Sequence, residues 1–156
     1  MHTEEEDLAA LAEGKAWQRR KAEAGWAAPH WPVEHGGRGL SPLLAGVFQA
    51  EEANYDVPAN MFSVGAGTVR TTIIEWGTEE QRRHHLPRIL TAEDVWCQLF
   101  SEPGAGSDLA GLTTRADLDG DEWVVTGQKV WTSAAHLSDM GVLLARTDWD
   151  APKHRG

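Results

Sequence analysis

Residues 98–111 read QLFSEPGAGSDLAG, and the organisation of the chain turns on them. An apolar run enters Ser101-Glu102-Pro103 and then Gly104, Gly106, Ser107 and Asp108. Small residues with hydroxyls and carboxylates after a strand suit either a tight turn or a seat for a phosphate or a polar-edged ring. The stretch is not a P-loop, because the Gly-Lys-Ser/Thr ending is missing. Nor is it a dinucleotide fingerprint, because Leu109 stands where the third glycine belongs.

Upstream of this stretch the pattern is helical. Thr3 with Glu6 has capping-box spacing, Leu8 and Leu11 begin an apolar face, and the helix is expected to end near Gly25. The segment GWAAPHWPVEHGGRGL is too rich in Pro and Gly for regular structure. Ser41-Pro42 marks an N-cap and first helical position, and Leu44, Val47, Phe48 and Glu51 follow at helical spacing. A third helix is expected between about Met61 and Trp76. Thr78 with Gln81 caps a fourth, which Pro87 is expected to kink or end.

The character changes at about Val95. VWCQLF and MGVLLART read as strands, and LTTRADLDGDEWVVTGQKVWTS has strand propensity broken at Asp119-Gly120, a hairpin signal. The expected fold class is therefore α+β: a helical domain over 1–94, then antiparallel strands of a partial barrel or sandwich over 95–156.

The 156 residues carry a net charge of -10, which disfavours a broad nucleic-acid footprint and an anionic membrane surface. Cys97 is the only cysteine, so no intrachain disulfide forms, as suits a cytoplasmic protein, and its apolar neighbours mark it as a buried hydrophobe. The acidic start is not a signal peptide, and no apolar run has the length of a membrane span. The seven histidines have no metal-ligand spacing. Val130-Trp131-Thr132-Ser133 sets an indole beside two hydroxyls, a group that could cover a heteroaromatic ring and donate to its edge, or fill a sheet core.

SEPGAGSD, followed by GDEWVVTGQKVWTS and LLART, resembles the acyl-CoA dehydrogenase flavoprotein family, and WPVEHGGRGL, EWGTEEQRRHHLPRIL and DLDGDEW agree in order and spacing. The resemblance covers nearly the whole chain. It implies FAD as cofactor and α,β-dehydrogenation of acyl-CoA thioesters in lipid catabolism, with electron-transfer flavoprotein or a similar acceptor and a homo- or hetero-oligomeric assembly. It also implies roles for single residues. Gln98 opens the flavin-contacting strand, and the Ser101 hydroxyl meets the flavin pyrimidine edge. Ser107 lies near the FAD pyrophosphate and the acyl-CoA ligand. Trp131, with Thr132 beside it, lies against the isoalloxazine, and the Ser133 hydroxyl approaches N5, the hydride acceptor. WTSAA keeps the hydroxyl of the family's WITNG but lacks its Asn. These features resemble an actinobacterial branch that includes mixed-subunit enzymes acting on bulky acyl-CoAs.

The family's catalytic carboxylate belongs to a C-terminal helical bundle. No residue here is assigned as the base, and Glu102 and Asp108 belong to the flavin-side turn. The chain is accordingly expected to be a fragment, inactive by itself. An acyl-CoA oxidase or flavin monooxygenase on the same fold, or a non-catalytic partner subunit, are the alternative readings.

Overall fold

The structure is a computed structural model that describes residues 3–156. Its helices are α1 (Glu4–Glu23), α2 (Pro42–Glu52), α3 (Arg70–Trp76) and α4 (Glu79–Leu90). Its strands are β1 (Trp96–Leu99), β2 (Arg115–Asp119), β3 (Glu122–Thr126) and β4 (Met140–Leu143). The chain forms two compact units, residues 1–96 with 137–140, and residues 97–136 with 141–156. Helices thus precede strands, as expected, and among the described residues the strands do not close into a barrel.

The helix ends follow from capping chemistry. Thr3 Oγ1 accepts from the Glu6 amide while the Glu6 carboxylate accepts from the Thr3 amide, which satisfies donors that the first turn leaves open. Thr78 and Gln81 repeat the device on α4, and Ser41 Oγ accepts from Leu44 N at the start of α2, where Pro42 lacks only a donor that the helix would not use. One expectation is corrected in part: Pro87 does not end α4, which runs on to Leu90 with the Pro87 carbonyl accepting from Thr91 N. The third helix lies within its expected range, and Gly65–Val69 forms a π-helical turn that leads into α3. Wider winding suits a segment whose glycines impose little side-chain crowding.

The helical unit is organised by apolar burial. Trp31 is fully enclosed, and Leu86, Ile89, Val69 and Val95 are all but inaccessible. Leu11 of α1 and Met61 pack on Phe62, Ala92 and Val95, whereas Leu8 stays exposed. Gln18 is buried too, its amide donating to the Leu90 carbonyl at 3.1 Å. On α2 only Ala45 is buried. Leu44 and Val47 of the expected apolar face are exposed, and the Phe48 ring stacks on Trp26 at 4.9 Å.

In the strand unit β2 and β3 are antiparallel, with Arg115 opposite Thr126 and Asp119 opposite Glu122. The connecting residues are Gly120 and Asp121, one position later than the sequence signal. Gly120 has φ +62° while Asp121 stays negative, the pattern of a turn with glycine first. β1 pairs with β4. The Val95 carbonyl accepts from Met140 N and the Leu99 carbonyl from Leu144 N, so this pair advances in the same direction on both strands. Such a parallel pair needs a long connection, which residues 100–139 supply. Arg146 joins the two ladders: its amide donates to the Thr114 carbonyl and its carbonyl accepts from Ala116 N.

Candidate functional site

Four donors converge on one buried carboxylate at the centre of the strand unit. Glu102 Oε2 accepts from Thr113 N at 2.6 Å and Thr113 Oγ1 at 2.8 Å, and Oε1 accepts from Thr114 N at 2.8 Å and Lys129 Nζ at 2.8 Å. Lys129 Nζ also donates to the Phe100 carbonyl at 3.0 Å. The ion-pair side chains of Lys129 and Glu102 are only 8% and 3% exposed. Burial by itself would push the Glu102 carboxyl up. The hydrogen bonds from Lys129, Thr114 and Thr113 outweigh it and hold the group well below the usual carboxylate range. A carboxylate so fully occupied is a strut and is unavailable as a proton acceptor.

The strut fixes the turn that sequence inspection singled out. Glu102 and Ala105 exchange backbone hydrogen bonds of 2.9 and 3.1 Å, which closes Glu102-Pro103-Gly104-Ala105 into a tight turn. The Ser101 carbonyl accepts from Val130 N at 2.9 Å, which brings the end of β1's extension alongside the residue before Trp131. Gly127, between β3 and Lys129, packs so closely on Thr114 that a methyl group there would collide with it.

Trp131 is not a core residue of a strand. It lies outside the strands, is 91% exposed, and has φ +58°, where a bulky residue is strained. Ala134, three residues on, has φ +57°. An indole held in water in a disfavoured backbone conformation is not accounted for by core packing. Ser133 beside it is exposed, and Thr132, whose carbonyl accepts from Ala135 N, is half-buried.

The remaining expected site residues are all in this unit. Gln98 is exposed on β1, Ser101 is half-buried at the turn, and Ser107 is exposed after it. The backbone ties Ser101 to the Trp131 segment through Val130. Gly104 and Gly106 need a different explanation from the one their type suggests. Neither has positive φ, and a methyl group at either would meet nothing within 4 Å. Glycine there leaves open space against the backbone. Asp108 pairs with Lys153, so the second tempting carboxylate is also engaged.

Lys129 is the member of this hub that the sequence does not reveal. Its partner lies 27 positions away, and nothing in GQKVWTS distinguishes an inward lysine from a solvated one.

Two family profiles match, the acyl-CoA dehydrogenase N-terminal domain over residues 2–93 and the acyl-CoA dehydrogenase middle domain over residues 97–156. The acyl-CoA dehydrogenase IpdE1 of Mycobacterium tuberculosis is 49% identical over 147 residues, covering 94% of this chain and 38% of that protein. The solved structure of the Tcur3481-Tcur3483 steroid ACAD superposes with a TM-score of 0.81 at 38% identity, over 95% of this chain and 40% of that one. The ChsE4-ChsE5 complex from Mycobacterium tuberculosis gives 0.77 at 39% identity, over 99% of this chain and 40% of that one. The chain thus spans about two-fifths of the length of these relatives. With helices and strands in the family's order and both domain profiles matched, this chain belongs to the acyl-CoA dehydrogenase family.

Proposed function

We propose that this chain carries the flavin face of an acyl-CoA dehydrogenase, with residues 1–94 from the N-terminal helical domain and 95–156 from the first part of the middle β-domain. The observation that carries the reading is Trp131, 91% exposed at positive φ, with hydroxyl residues Thr132 and Ser133 directly after it. The residue types support FAD as the ligand. An exposed indole can cover the flat ring system, and the hydroxyls of Ser101 and Ser133 can donate to its polar edge. Open space over Gly104 and Gly106 lets a phosphate or thioester come close to the backbone near Ser107. Gln98 completes the proposed set from β1.

When bound, FAD supplies the acceptor for a hydride from the acyl β-carbon. What this chain contributes is binding and orientation. Trp131 shields one ring face from water, and the hydroxyls of Ser101 and Ser133 favour negative charge at the ring edge. Glu102 is not free to take the acyl α-proton, because it accepts four hydrogen bonds. The substrate class we assign is a bulky, polycyclic acyl-CoA, supported by 38% identity to a structure described as a steroid ACAD. Assembly with like or related subunits and electron delivery to a flavoprotein acceptor belong to the same proposal. A single buried, free Cys97 suits a cytoplasmic location.

The test is to titrate FAD into the ¹⁵N-labelled chain and map amide shifts. Shifts confined to residues 98–107 and 130–134 are expected, with no bleaching of the flavin when acyl-CoA is added. Perturbations in 1–94 alone, or none, would remove the flavin assignment.

A further inference from the structure

We infer that Glu102 and Lys129 are positioning residues for the Trp131 platform: their buried ion pair sets the backbone of residues 130–134. The inference rests on the flavin reading only for what the platform binds; the geometry stands by itself. Three separate stretches meet at the pair. Lys129 reaches Phe100 and Glu102 on one side, and Glu102 reaches Thr113 and Thr114 on the other. Lys129 is two residues before Trp131, and Val130 between them is bonded to Ser101. The lysine side chain and the Val130 amide therefore grip consecutive residues from the same partner stretch, 100–102. Before β4 the chain beyond forms the short 3-10 turn Ala135–Leu137, and it keeps φ of +58° at Trp131 and +57° at Ala134. Strained backbone persists only where its surroundings over-determine it. Packing of the indole does not supply that constraint, because Trp131 is 91% exposed. The two-point anchor at Lys129 and Val130 supplies it on the N-terminal side, and the 3-10 turn Ala135–Leu137 follows on the other.

Two properties of the pair suit positioning. Nζ is a point donor that serves the Phe100 carbonyl and the Glu102 carboxylate together, so it fixes the distance between them. The carboxylate is also held by two backbone amides, which cannot turn away as side chains can. The platform is thus referenced to main chain on both sides.

The experiment uses the 156-residue chain with Lys129→Met, Lys129→Arg and Glu102→Gln. The amides of residues 115–126 report whether the β2–β3 hairpin is intact, and those of 130–134 report the platform. With the hairpin signals kept, Lys129→Met is expected to move the Trp131 and Ser133 amides and weaken FAD binding about tenfold. Lys129→Arg keeps the charge but not the point-donor geometry and should restore only part of the affinity. Glu102→Gln keeps one acceptor oxygen, for either Thr113 or Thr114, sets its amide NH2 against the other's donor, and lacks the charge that holds Lys129. It serves if the Met variant loses the hairpin, and is expected to move the same amides. An unchanged 130–134 region in a variant with an intact hairpin overturns the inference. Movement of 130–134 with unchanged FAD affinity upholds the positioning role and instead removes Trp131 from the flavin site.

Discussion

In the helical unit the largest fully enclosed side chains are Trp31, Leu86, Ile89, Val69 and Val95, whereas in the strand unit Glu102 and Thr114 are buried among the smaller or less enclosed Cys97, Ala105, Leu112 and Ala116. The large apolar residues of the β2–β3 hairpin, Leu118, Trp123, Val124 and Val125, are 48% to 61% exposed. One unit is held by removing apolar surface from water, the other around a charged pair with its hydrogen bonds. The difference bears on function. A unit built on apolar burial tolerates soft packing changes, but a polar hub with directional bonds fixes backbone positions, as a platform of exposed Trp131 and Ser133 requires.

The strongest way to break this contrast is to remove one charge. Lys129→Met leaves Glu102 buried without its cation, and deleting one partner of a buried pair costs about 3–5 kcal/mol. Amide exchange should rise sharply in residues 113–130 and remain at the parent level in α4. The paired change Glu102→Leu with Lys129→Met, which leaves no orphan charge, should recover much of that loss. A double variant no better than the single would mean that the charge itself is not the organising element.

Leu86→Ala makes the complementary test in the helical unit. Leu86 is 1% exposed, and truncating such a residue costs roughly 2–5 kcal/mol through lost burial and a cavity. Exchange should quicken throughout α3 and α4. The matching truncation in the hairpin, Val125→Ala, removes a residue that is 48% exposed and should stay within about 0.5 kcal/mol. A large effect of Val125→Ala would erase the distinction between the units.

Acid sharpens the comparison further. The folded Glu102 carboxyl is depressed relative to its ordinary value of 4.5, so its contribution to stability is fully present above that value. It is lost progressively as pH falls through the range between the unfolded and folded values. Asp94 of the helical unit is also depressed, by its hydrogen bond from Arg88, so both units lose stability in acid. Glu102→Gln should flatten the acid response of residues 113–130 and leave that of α4 unchanged. An acid response of 113–130 identical to the parent in that variant would show that Glu102 does not carry it.

The helix boundaries were legible because capping is local: Thr3 and Glu6, or Thr78 and Gln81, carry their own partners within one turn. The hairpin was legible to within one residue, from Gly120. Four features were not. Pro87 sits in the last turn of α4, where the lost donor matters little against the burial of Leu86 and Ile89. The direction of the β1–β4 pair depends on contacts more than 40 residues apart, which no local pattern encodes. Of the site, the residue types in SEPGAGSD and VWTS were visible, but Lys129 was not, because its role exists only once residues 100–102 and 113–114 are brought to it. The exposure of Trp131 was hidden too, since an aromatic after a hairpin more often fills a core.

Two indoles in the strand unit test the central claim most directly. Trp123 on β3 is 56% exposed and Trp131 is 91% exposed at positive φ, and only the second is assigned to the flavin. FAD affinity is to be measured by flavin fluorescence on the chain carrying Trp131→Ala or Trp123→Ala. The account predicts that Trp131→Ala weakens FAD binding about tenfold, the scale of one lost aromatic contact, while Trp123→Ala leaves it within about twofold of the parent. Equal affinities for the two variants would contradict it.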